Sequence, residues 1–353
     1  MSTLPLPAQT INVAHLNDTE ILDSYKHALT ETIATFMTLY GRAPIVLNIG
    51  AQAGLLARFA LEADAQFVVI VDANLESLSL ARETLKQYNN FSLIHSHSTQ
   101  FSHPTKFDIL VFDLFGAALN DKGASFIVYD ILSRQMLQRY DNQFFVIPCE
   151  GAMSVRLYHA PELGLHHHAS YYQMPLYKTY NNTAPKSIDA IKWQVNTTNM
   201  FQPWSQLKAL SPRVEVLHEM YDKVTSPTWP SHITLGPIVP PASLPSSTDI
   251  AAGTVLLVQE WSVALTPSIT IRNTTTGPYV RRHGWGLAWS VYPTDMATTS
   301  TTWSVSPKNS GGVTLAVVPE PVVASVKTHT AKKITLLLQN TFAKAALANQ
   351  MSE

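Results

Sequence analysis

The chain has 353 residues, 46% hydrophobic and 14% charged, with a net charge of −1. That length allows two domains or one large one with a substantial core, and the neutral balance gives no global field toward nucleic acid or anionic membrane. A single cysteine, Cys149, excludes an internal disulfide and a thiolate zinc cluster.

The N-terminus MSTLPLPAQTINV has no basic start, apolar core or cleavage site, and residues 1–14 are expected to be flexible. No apolar run reaches the length of a membrane span, and the five Asn-x-Ser/Thr matches have no export signal beside them. The expected location is cytoplasmic.

From residue 20 to 140 helical patterns alternate with short β-rich runs. IVLNI (45–49) reads as a buried strand, and GLLARFALEA (54–63) as a helix with one apolar face. FVVIVD (67–72) is a second strand ending on an acid. LESLSLARETLKQY (75–88) has leucines near one helical face, and FDILVFD (107–113) is a third strand, again ending on an acid. This order predicts a Rossmann-like, doubly wound parallel sheet over 15–147.

After Pro148 the texture changes. AMSVRLYHA, HITLGPIV, GTVLLVQEWSVAL, SITIRN, GLAWSVYP, GVTLAVVP and KITLLLQN are short β-like runs separated by Pro- and Gly-rich turns. They predict an antiparallel β-barrel domain over 148–353. Residues 189–213 interrupt the strand rhythm with Trp193, Met200, Phe201, Trp204 and Leu207, apolar groups of the kind that anchor interfaces.

The stretch PIVLNIGAQAG (44–54) has the form of a cofactor loop. Its first glycine permits a sharp turn after the strand, and the following helix N-terminus favours phosphate or carboxylate. Asp72 ends the next strand, 18 residues after Gly54, near the spacing at which an acid grips ribose hydroxyls. Gly50, Gly54 and Asp72 are the cofactor-binding candidates, and Gln52 stands where a Gly-x-Gly-x-Gly loop has its middle glycine. The alternative is that Gly50 and Gly54 serve only the tight turn.

The segment from LNDTEILDSYKHALTETIATFMTLYGRAPIVLNIGAQAGLLARFALEADAQFVVIVDAN through KFDILVFDLFG to FFVIPCEGAMSV resembles the protein arginine N-methyltransferases. That family carries LxDxxRxxxY in a leader helix, VLDxGxGxGxL in the cofactor loop and DxxxSExMG in the substrate loop. The resemblance covers about residues 15–160 by motif and implies an S-adenosylmethionine-binding domain and a barrel with a projecting dimerisation arm. By that resemblance the arm lies at about 189–213.

The departures fall at functionally linked positions. The leader-helix arginine that holds the cofactor carboxylate falls at Ile21, the acid ending the first strand at Asn48, and the middle glycine at Gln52; the acid beside the adenine falls near Ser98 or Thr99. Loss of a charge-assisted contact costs roughly 1.5–3 kcal/mol, so two losses weaken binding about a hundredfold to ten-thousandfold. The family clamps the substrate guanidinium between two glutamates. Here the first aligns with Asp113 and the second with Lys122, or with Asp121 after a one-residue slip. The family's Thr-His-Trp segment falls near RRHGWGLAWSVYP, where His283 and Trp285 stand without the intact tripeptide.

No catalytic residue is therefore assigned with Asp113, Lys122 and His283 as the degenerate positions. The expected function is that of a non-catalytic regulatory or scaffold subunit, similar to the prozymes that kinetoplastids pair with an active arginine methyltransferase. Its partner would be an active paralogue, with no cofactor of its own. The alternatives are an active, divergent S-adenosylmethionine-dependent methyltransferase and an RNA- or protein-binding module, the former with cofactor bound.

Other chemistries have less support. HHH (166–168) and HSH (95–97) invite a metal reading, but consecutive loop histidines rarely converge, and no metal is expected. No G-x-S-x-G, P-loop or H-E-x-x-H motif occurs, and Cys149 reads as a packing residue.

Overall fold

The computed structural model describes residues 18–116, 119–120, 122–141, 143–160, 194–195, 207–223, 230–235, 254–273, 288–292, 302–307 and 315–319. The expected flexible N-terminus, the strand KITLLLQN and the HHH run lie outside these residues.

The first element is helix α1 (Thr19–Tyr40). It starts where Asp18 Oδ1 accepts the Ile21 amide at 3.2 Å, and it stops at Gly41, whose φ of 66° lets its N–H donate a hydrogen bond back to Met37 O. Ile21, Tyr25, Ala28, Leu29, Ile33 and Phe36 recur at three- and four-residue spacing and are all buried. Tyr25 Oη donates to Phe112 O at 2.9 Å and so ties this helix to the sheet.

A five-stranded parallel sheet follows, from β1 (Ile45–Ile49), β2 (Phe67–Asp72), β3 (Phe91–His95), β4 (Ile109–Phe112) and β5 (Phe145–Ile147), in the order 3-2-1-4-5. Helices α2 (Leu55–Glu62), α3 (Leu75–Thr84) and α4 (Ala124–Ser133) lie between strands in the chain. The apolar runs of β1, β2 and β4, broken inside β1 by the buried Asn48, are what a parallel sheet covered on both faces requires.

Three predicted bounds shift. The helix expected to reach residue 88 ends at Thr84, and that starting at Gly54 begins at Leu55. The third predicted strand is trimmed to Ile109–Phe112, because Asp108 is used otherwise. Its carboxylate takes a two-pronged bond from Arg42 (2.8 and 2.7 Å), the Ile45 amide at 2.8 Å and the Tyr140 hydroxyl. Burial opposes the charge of Asp108, but Arg42, the Ile45 amide and Tyr140 outweigh it and hold the carboxyl below its ordinary range.

The chain crosses Ile147–Pro148, a cis peptide, into a curled antiparallel sheet that forms a partial barrel. Its centre is β6 (Glu150–Ala160) against β11 (Thr254–Thr266), paired over all 11 residues of β6. Around them lie β7 (Gln194–Val195), β8 (Lys208–Ala209), β9 (Val214–Met220), β12 (Ile269–Asn273) and β13 (Ala288–Tyr292). β10 (His232–Thr234), β14 (Thr302–Pro307) and β15 (Leu315–Pro319) form a second antiparallel sheet. The fold class read from the sequence is the observed one, and buried residues of both halves join in one core.

Candidate functional site

Strand order reverses between β1, the middle strand of the sheet, and β4 beside it. At such a switch point the two following loops diverge and leave a crevice at the strands' carboxyl ends. The loop after β1 is residues 50–54, and the loop after β4 opens with Asp113. The sequence candidates Gly50, Gln52, Asn48 and Asp113 therefore meet at one place.

The first loop turns as a glycine loop does. Gly50 and Gly54 have φ of 85° and 83°, and Gln52 and Ala53 are also left-handed, at 41° and 59°. For a side chain that conformation costs about 1–2 kcal/mol, so the turn is kept at Gln52 against its residue type. Gly54 has a second reason to lack a Cβ: one placed there would lie 3.0 Å from Ala81 Cα of α3. Gly50 has room by comparison, with Leu114 Cδ2 at 3.4 Å from the position of its missing Cβ.

Gln52 does not point outward. Its Nε2 donates to the main-chain carbonyl of Asp113 at 2.6 Å and joins the two loops. Asp72 is likewise engaged within the chain. Oδ2 accepts the Ala51 amide at 2.7 Å and Oδ1 the Asn74 amide at 2.8 Å, which links the loop after β1 to the start of α3.

Ile21 is buried in the apolar face of α1, so no cation stands at that point of the leader helix. Asn48 is wholly buried, with Nδ2 donating to Gly50 O at 3.1 Å. Ser98 is half-buried and Thr99 exposed, and the Ser98 carbonyl accepts from Arg134 at 2.8 Å.

Asp113 is buried, and its loss of hydration raises the carboxyl pKa; the Lys122 charge, the Gln52 amide and the Phe115 main-chain amide pull the other way. Lys122 itself is exposed. Asn48 Oδ1 and Asp113 Oδ1 are buried acceptors with no hydrogen-bond partner among the described residues. Asp121, His283 and Trp285 lie outside the described residues.

The second loop is also held from the barrel side, by residues that sequence reading did not single out. Trp261 of β11 donates Nε1–H to Gly116 O at 3.0 Å, and its ring lies 5.5 Å from Phe115. Asn120 Nδ2 donates to Glu219 Oε2 of β9 at 3.1 Å, and the Ser125 hydroxyl also donates to that carboxylate. Tyr221 packs edge-on to Phe112 at 5.5 Å; burial first, then the Glu219 charge, raises its hydroxyl pKa. The hydrogen-bonded partners are 94 to 145 residues apart in the chain, so no local pattern marks them.

Of the proposed interface residues, Leu207 is half-buried at the foot of β8, which pairs with β6. Trp193, Met200, Phe201 and Trp204 lie outside the described residues. Gln194–Val195 and Lys208–Ala209, inside the predicted arm, pair into the sheet with β13 and β6.

Among the described residues no group of three His, Cys, Asp or Glu is placed to hold a metal, and no helix is long and apolar enough to cross a membrane. Burial and the neighbouring Asp222 push the Cys149 thiol up to about 11, which keeps it protonated and poorly nucleophilic.

No protein-family model matches the sequence. The chain is similar to a chain of the Trypanosoma brucei PRMT1 enzyme–prozyme heterotetrameric complex with AdoHcy. The TM-score is 0.54 and the identity 14%, over 88% of this chain and 93% of that one. It is also similar, with a TM-score of 0.49 and 14% identity, to protein arginine methyltransferase 10 of Arabidopsis thaliana, over 80% of this chain and 81% of that one. A parallel sheet of this order followed by a curled antiparallel one is the fold of the protein arginine methyltransferases, and this chain has that fold.

Proposed function

We propose that the chain is a non-catalytic subunit of a protein arginine methyltransferase assembly, binding an active paralogue and stabilising or activating it. The observation that carries this reading is the state of Asp113. A guanidinium clamp needs two ionised carboxylates open to the substrate. Asp113 is buried, its pKa is raised, and the nearest aligned partner is the cation Lys122. The cofactor side supports the same reading: Ile21 offers no charge, Gln52 spans to Asp113, and both Asp72 oxygens already accept main-chain amides. A chain of this fold occurs in the enzyme–prozyme heterotetramer of Trypanosoma brucei, which fits a subunit role.

Calorimetric titration with S-adenosylmethionine and S-adenosylhomocysteine, beside a transfer assay on Arg-Gly-rich peptides, tests it. The expected result is no heat up to millimolar ligand and no transfer by the chain alone, with stable co-purification with an active arginine methyltransferase. Robust transfer by the purified chain overturns it.

A second reading, an active divergent methyltransferase, draws on the retained glycine turn and on two buried acceptors, Asn48 Oδ1 and Asp113 Oδ1, that an ammonium donor could satisfy. Lys122→Glu separates the two. An active enzyme changes its rate sharply, and a non-catalytic subunit remains silent.

A further inference from the structure

The Gln52 side chain gives the crevice a bond that its backbone does not need. The loop turn is already made by Gly50 and Gly54 and pinned by Asp72 to Ala51 and Asn74. Gln52 nevertheless holds a left-handed φ of 41° and places its amide 2.6 Å from the carbonyl of Asp113, 61 residues away.

We propose that Gln52 is an internal latch: its amide takes the place of a bound ligand between the loop after β1 and the loop after β4, and holds the crevice closed in the ligand-free chain. The proposal rests on the non-catalytic reading above. It accounts for three placements at once. Leu114, in the loop after β4, brings its Cδ2 to 3.4 Å from the position of the Cβ that Gly50 lacks, so the two loops also approach each other there. The loop after β4 is gripped at its start by Gln52 and farther along by Trp261, through Gly116 O, and by Glu219, through Asn120. The Asp72 carboxylate is satisfied by amides of its own chain.

The consequence is a subunit whose crevice is ordered without cofactor, so that surfaces formed by these loops persist at any cofactor concentration. In a site that depends on ligand for order, the bridging contacts appear only on binding.

The test is hydrogen exchange of the ligand-free full chain, read at residues 50–54 and 113–116, in the wild type and in Gln52→Met and Gln52→Glu. Both variants keep a side chain of similar length and the same demand for positive φ, and both remove the donor. Exchange in both loops should rise about threefold to tenfold, the value of one buried hydrogen bond, while β6 and β11 stay unchanged as the control for folding. Unchanged exchange in both variants with an intact β6–β11 control overturns the latch. Additional protection of the wild type by micromolar S-adenosylhomocysteine would count against the cofactor-free reading, and leaves the ligand-free comparison of the variants to judge the latch.

Discussion

At the scale of single residues, Asp113 separates the readings most sharply. Its carboxyl pKa is raised chiefly by burial, against the opposing pull of Lys122, the Gln52 amide and the Phe115 amide. A raised pKa means that the folded chain holds the proton more tightly than the unfolded one. Stability is therefore fully present below the unfolded value and falls as pH rises through the folded pKa. Asp113→Asn removes that cost. Melting at pH 7 should rise by roughly 2–4 °C for each kcal/mol relieved. The gain should vanish below about pH 4, where the wild-type carboxyl is protonated in both states. A fall in melting temperature at pH 7 would contradict this account of the residue. Asp113 was legible in the sequence as an acid ending a strand. That it is buried was not, because the loop it opens is held by residues far along the chain, Trp261 through Gly116 O and Glu219 through Asn120.

At the scale of elements, the strand-to-helix turn at 50–54 shows a motif kept for geometry. Gly54 carries a positive φ and a contact with α3, and Gly54→Ala meets both penalties. The expected loss is roughly 2–4 kcal/mol in chemical denaturation, with no dependence on any ligand. A variant of wild-type stability would mean that α3 can move away at no cost. The apolar runs of β1 and β2 lie where the pattern of residues put them, since burial on both faces of a parallel strand is written in local spacing, whereas α1 was marked by the family resemblance alone. β3 and β5 carry no such signal. FSLIH is only half-buried with a serine within it, and FVI is three residues long, too short for a periodic signal. Helix α4 was missed too. Phe126 and Tyr129 on its outer side are exposed, which blurs the apolar stripe.

At the scale of the whole molecule, the two halves are tied by side chains rather than by the linker alone. Trp261, Asn120, Ser125 and Glu219 carry hydrogen bonds that join the loop after β4 and the start of α4 to the barrel strands. Trp261→Phe keeps the ring against Phe115 but leaves the Gly116 carbonyl buried without its donor. It should cost about 1–3 kcal/mol in urea unfolding and speed exchange in the loop after β4. No change in either measure would place the stabilising energy of this junction elsewhere.

The sequence by itself determined the alternation of strands and helices, the change of texture at Pro148 and the positions where a methyltransferase-like loop departs from its pattern. These are local properties, set by spacing and by residue type at a turn. Only the tertiary structure decided that Gln52 reaches Asp113, that Asp72 is engaged by Ala51, and that Glu219 and Trp261 close on the loop after β4. Those partners are separated by 21 to 145 residues, and a hydrogen bond across such distances in the chain exists only where the packed core brings donor and acceptor within about 3 Å.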